Sequence, residues 1–85
     1  MMQMTEVHIS SIVVHARPEH LHAVKRGIED VPGSEIHAES ACGKLVVVLE
    51  SGTTTHTTDS IERIAGLEHV LSTALIFHQI ETLES

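Results

Sequence analysis

At 85 residues, with 41% apolar side chains and Phe77 as the lone aromatic, the chain has room for one modest core of Val, Ile, Leu and Ala. A formal net charge of -7 argues against nucleic acid, whose phosphates need a basic face. A single cysteine, Cys42, rules out a disulfide framework or a cysteine-based zinc site within one chain.

The opening MMQMTEVHISS lacks the basic residues and apolar block of an export leader, and no apolar run is long enough to span a membrane. A single cytoplasmic domain without membrane insertion is the expectation, with residues 1–5 and 81–85 flexible. VHISSIVVHA, residues 7–16, is rich in Val and Ile and reads as a strand. Arg17-Pro18 breaks it, and Pro18 and Glu19 suit the first turn of a helix. Leu21, Val24, Ile28 and Val31 follow on one helical face, and Pro32-Gly33 ends the helix. Glu35–Glu39 alternates as a short strand, with Ile36 and Ala38 on one side and Glu35, His37 and Glu39 on the other. Ser40–Gly43 is of hairpin length, and GKLVVVLES (43–51) supplies the partner strand.

The run TTTHTT (53–58) favours an N-cap over a helix interior, so a second helix starts within it and is firm from Asp59 to Ala65. Ile61 and Ile64 face inward, with Ala65 as a third candidate, and Gly66 closes the helix. Residues 69–78, HVLSTALIFH, read as a last strand. The segments IEDVPG (28–33) and IERIAG (61–66) echo each other, so each half of the chain is strand, helix, strand. Right-handed crossovers then fold the chain as an α+β, ferredoxin-like βαββαβ sandwich. Its four-stranded antiparallel sheet carries both helices on one face, with the first and third strands central.

Such a sheet leaves one face open. In the third strand Leu45, Val47 and Leu49 form a wholly apolar set that suits the helix side. Lys44, Val46, Val48 and Glu50 then face out. Ile9, Ser11, Val13 and His15 of the first strand share the open face, as do Glu35, His37 and Glu39 of the second. The last strand is ambiguous, since Leu71/Thr73/Leu75/Phe77 and Val70/Ser72/Ala74/Ile76 are both apolar enough to be core. The plainer reading is that exposed Val residues serve β propensity alone. A contiguous patch edged by glutamates fits an interaction site instead, and a weak homodimer through this face is a further reading.

Catalytic constellations are missing. No nucleophile, glycine-rich phosphate loop or HExxH motif stands out. His20 and His22 do not share a helix face, and His8 and His15 fall on opposite sides of a strand. No metal site is therefore assigned, and no cofactor. Cys42 has only Lys44 nearby to activate it.

Four segments, SSIVVHARPE (10–19), VPGSEIHAES (31–40), GKLVVVLE (43–50) and HVLSTALIFHQ (69–79), resemble the NapD family in order and spacing. These are small cytoplasmic chaperones of the periplasmic nitrate reductase catalytic subunit. The resemblance implies the same fold and a function without catalysis. It implies binding of the precursor's twin-arginine signal peptide, which delays export until the molybdenum cofactor is inserted and folding is complete. The open-face Val46, Val48, Val13 and Ile9 suit the apolar side of that peptide, and Glu35, Glu39 and Glu50 suit its arginines. The alternatives are an ACT-like metabolite-sensing module, for which this chain shows no enzyme or DNA-binding domain to regulate, and a metal carrier lacking paired cysteines.

Overall fold

The structure is a computed structural model and describes residues 4–84. Strand β1 (Met4–Ala16) is followed by a 3-10 turn (Pro18–His20) and helix α1 (Leu21–Glu29). Strands β2 (Ser34–Glu39) and β3 (Lys44–Ser51), helix α2 (Thr54–Ala65) and strand β4 (Val70–Glu84) complete the chain. The sheet order is β2-β3-β1-β4, and every neighbouring pair is antiparallel. The α+β, ferredoxin-like arrangement expected from the sequence is thus the one observed.

One side of the sheet carries the core. Ile12, Val14 and Ala16 of β1 and Leu45, Val47 and Leu49 of β3 pack with Val24 and Ile28 of α1, Ile64 of α2, and Val31. The parity split of β1 and β3 therefore falls as expected. Ser34 ties α1 to β2, because its hydroxyl donates to the carbonyls of Ile28 and Val31, both at 2.7 Å. These carbonyls also accept from the backbone N–H groups of Val31 and Ser34, so the hydroxyl reinforces a turn that is already bonded.

Helix α2 starts earlier than Asp59 because Thr53 caps it: its side-chain oxygen accepts from the His56 backbone N–H at 3.0 Å. Its inward face is more polar than expected. Thr57 and Ser60 are buried beside Ile64, Ile61 is half-buried, and Ala65 is exposed. Thr57 is tolerated inside because its hydroxyl bonds Ser51 Oγ and the Thr53 carbonyl.

The ends of the sheet depart most from expectation. Strand β4 does not stop at His78 but continues to Glu84, pairing with β1 down to Met4. β3 accompanies β1 only from His8 onward, so Met4–Val7 and Glu81–Glu84 form a two-stranded ribbon beyond the helix-covered sheet. Of the termini expected to be flexible, residues 1–3 and 85 lie outside the described residues. No described helix is long and apolar enough to cross a membrane.

Candidate functional site

The open face is a set of rows running across the strands, fixed by the backbone register. One row reads Glu50, Ile9, Gln79. The next reads Glu35, Val48, Ser11, Phe77, and the third Ala38, Val46, Val13, Ala74. The last reads Lys44, His15, Ser72. Ile9, Ser11, Val13, His15, Val46 and Val48 are half-buried by their neighbours, while Glu35, His37, Lys44 and Glu50 are exposed. The centre is thus apolar except for Ser11, and no helix of the described chain covers it.

Glu39 is the exception among the residues expected on this face. A bulge in β2 sets Ile36 opposite Val47 but Ala38 opposite Val46, with His37 as the extra residue. One inserted residue reverses the parity of everything after it. Ala38 therefore turns outward, and Glu39 turns to the helix side, where Lys25 Nζ of α1 donates to its carboxylate at 2.6 Å. His37 stays near Glu35, with Nε2 3.6 Å from Oε2. If the open face attracts a cationic peptide, Glu35→Gln weakens binding and Glu39→Gln leaves it unchanged. Parallel calorimetric titrations check this, and equal losses would contradict the register drawn here.

Strand β4 resolves its ambiguity by mixing the two sets. Ile76, opposite the Ser11/Ile12 step of β1, and Leu71, opposite the His15/Ala16 step, are extra residues that shift its register twice. Ser72, Ala74, Phe77 and Gln79 share the open face, while Val70, Thr73, Leu75 and His78 share the other. Phe77 is still 49% exposed, which leaves a large apolar ring at the surface. Beyond Gln79, Glu81 pairs with Val7 and so faces the same way, and the Gln79 amide donates to its carboxylate at 2.7 Å. Sequence reasoning places Glu81 in the tail and so misses its position on this face. Its alternation with Gln79 was the only available signal.

Beside Glu35 and Glu50, where β3 ends and β1 runs on, lies a recess of about 480 Å³. Its lining includes Glu6, Glu35, Glu50, Val7 and Gly33, and no lysine or arginine. Gly33 adopts φ 81°, and a Cβ there would stand 2.3 Å from the Glu50 carbonyl oxygen. Glycine thus lets the α1–β2 turn approach the β3 backbone, where the Glu50 N–H donates to the Gly33 carbonyl at 2.9 Å.

Four of the histidines form two separate ring pairs rather than one cluster. His8 is buried on the helix side, 5.8 Å from the ring of His78, and His20 stacks on His69 at 3.6 Å. Among the described residues no three His, Cys, Asp or Glu side chains converge as metal ligands. Cys42 is exposed, and its thiol is held below the ordinary range chiefly by the hydrogen bond with Ser40 Oγ at 3.0 Å, with Lys44 adding a smaller effect.

Fold and face together define a small sheet-and-helix domain whose open side offers apolar rows with an acidic end. The family model described as "NapD protein" matches residues 7–82, and the chain belongs to the NapD family. It is similar to "Chaperone NapD" of Paracoccus pantotrophus, 36% identical over 74 residues, which covers 87% of this chain. The chain spans only 65% of that relative's length. It is also 31% identical over 78 residues to "Chaperone NapD" of Escherichia coli K12, covering 91% of this chain and 90% of that one. The solution structure of the E. coli Tat proofreading chaperone protein NapD superposes with a TM-score of 0.78 at 29% identity, covering 92% of this chain and 78% of the other.

Proposed function

We propose that the protein is a cytoplasmic binding chaperone for the twin-arginine signal peptide of the periplasmic nitrate reductase catalytic subunit precursor. It holds that peptide until the molybdenum cofactor is inserted and folding is complete, and it acts by binding rather than by catalysis. Membership of a family whose relatives are named chaperones supports the class. The single observation that carries the site is the uncovered apolar centre of the sheet, with Val46, Val48, Val13 and Phe77 flanked by Glu35 and Glu50.

The leader of such a precursor is basic first and apolar afterwards. An amphipathic helix on this face buries its greasy side against the central rows, the helix-on-apolar-surface mode of peptide recognition. The carboxylates contribute more to encounter and selectivity than to net affinity, because exposed ion pairs are worth about 0–1 kcal/mol.

Titrating the isotope-labelled protein with a synthetic leader peptide, followed by amide chemical shifts, tests the reading. Shifts should cluster on β1, β3 and the open side of β4. Affinity should fall with added salt, and fall less steeply for a peptide whose two arginines are glutamine. Shifts confined to α1 and α2, or no saturation at high micromolar peptide, would sink it.

A further inference from the structure

The open face is electrically lopsided along the strands. At one end stand Glu35, Glu50 and Glu81, while Glu6, which also lines the recess, has the parity of helix-side His8 and lies 3.4 Å from its ring nitrogen. At the other end the row is Lys44, His15 and Ser72, and Arg17 follows directly on β1. The central rows between these ends carry no formal charge on β1, on β3, or on the β4 positions facing out.

We propose that this gradient fixes the direction in which the face holds its peptide. The arginine pair sits at the Glu35, Glu50 and Glu81 end, and the apolar helix after it runs toward Lys44 and His15. The proposal rests on the reading of the open face as a signal-peptide site and adds a polarity to it.

Two independent effects favour the same direction. Guanidinium groups meet carboxylates at the acidic end, where they find no competing lysine or arginine in the recess lining. The helix macrodipole places its positive N-terminus toward the glutamates and its negative C-terminus toward Lys44. The reversed peptide loses both, setting arginines beside Lys44 and the helix C-terminus against three carboxylates.

Dimensions agree with this arrangement. From the Glu50 row to the Lys44 row is six residues along β3. At about 3.3 Å per residue that is roughly 20 Å. A helix rising about 1.5 Å per residue covers that distance in roughly 13 residues. The recess lies just past the acidic row, where β1 has lost its β3 neighbour. It gives long arginine side chains, and the peptide ahead of the helix, space that the flat centre lacks.

The test uses a synthetic peptide with two arginines followed by an apolar, alanine- and leucine-rich helix, carrying a nitroxide amino acid at either terminus. The label at the N-terminus is expected to bleach the amide signals of Val7, Gly33 and Gly52 and spare those of His15, Gly43 and Lys44. The label at the C-terminus is expected to do the reverse. In the triple variant E35K/E50K/K44E, which changes only exposed side chains, the two patterns should exchange. A swapped pattern in the wild type, equal bleaching of both ends, or a triple variant that keeps the wild-type direction each overturns the proposal while leaving the peptide site intact. A peptide that shifts no open-face amide removes the site and the direction together.

Discussion

Replacing Val48 by Glu is expected to lower affinity for an arginine-pair leader peptide about tenfold to a hundredfold, while the protein stays folded. Val48 sits between Glu35 and Ser11 in the row that ends at Phe77, half-buried by its neighbours. The two forces at this position oppose each other, which makes the result informative. A new carboxylate beside Glu35 strengthens attraction for arginine, but exposed ion pairs are worth about 0–1 kcal/mol. Losing the apolar contact of one Val, and pressing a charge against a greasy helix, costs about 1.5–3 kcal/mol. At about 1.4 kcal/mol per tenfold change, the apolar term wins. Isothermal calorimetry reads the sign directly. A tighter complex would mean that charge alone holds the peptide. Val48→Lys is a control that weakens binding on both counts. Neither change touches the helix-side core, so only strand propensity is lost, at most about 1 kcal/mol.

The residues of that row were legible in the sequence to different degrees, for a physical reason. β1 and β3 are central strands with one dry face, so alternation is imposed on them by burial. Ser10, Ile12, Val14 and Ala16 against Ile9, Ser11, Val13 and His15 could be sorted by parity alone, and the structure keeps that sorting. β2 and β4 are edge strands, and each carries bulges. A bulge is a slip in the hydrogen-bond ladder, and nothing in the composition around His37 or Ile76 announces one. Alternation alone thus puts Glu39 on the wrong side, and each face of β4 mixes its two candidate sets. The start of α2 within the Thr run is legible, because threonine is a fair N-cap and Thr53 takes that place. What the run hides is that Thr57 turns inward, where its hydroxyl bonds the Thr53 carbonyl within the helix and Ser51 Oγ only once the helix is docked. The ribbon was missed because Glu81 and its neighbours pair with the N-terminal end of β1, a contact between residues far apart in sequence.

Gly43→Ala is expected to do the opposite of Val48→Glu: a large loss of stability with no loss of affinity in the molecules that remain folded. Gly43 closes the β2–β3 hairpin at φ 99°, a conformation that costs a residue with a Cβ about 1–2 kcal/mol. The Cβ would also stand 2.1 Å from the carbonyl oxygen of Ala16, a clash with backbone rather than with a pliable side chain. That backbone has little freedom to retreat. Ala16 N–H donates to the Gly43 carbonyl at 2.7 Å, and Arg17 N–H donates to the His69 carbonyl at 3.0 Å. A loss of at least about 2 kcal/mol follows, which at about 4–8 °C per kcal/mol lowers the melting temperature by roughly 8–16 °C. Gly52→Ala is the matched control, because its Cβ would meet nothing within 4 Å and its φ is not in the left-handed region. Its stability should stay within about 0.5 kcal/mol of the wild type. Adding leader peptide then separates fold from site. A ligand at about a hundred times its Kd stabilises the folded state by about 2.7 kcal/mol. Saturating peptide should therefore raise the melting temperature of Gly43→Ala as it does that of the wild type. At the same peptide concentration Val48→Glu, intact but poorly ligated, should gain about half as much or less. If Gly43→Ala were insensitive to peptide, the turn at the Lys44 end would belong to the binding site itself rather than to the frame that holds it.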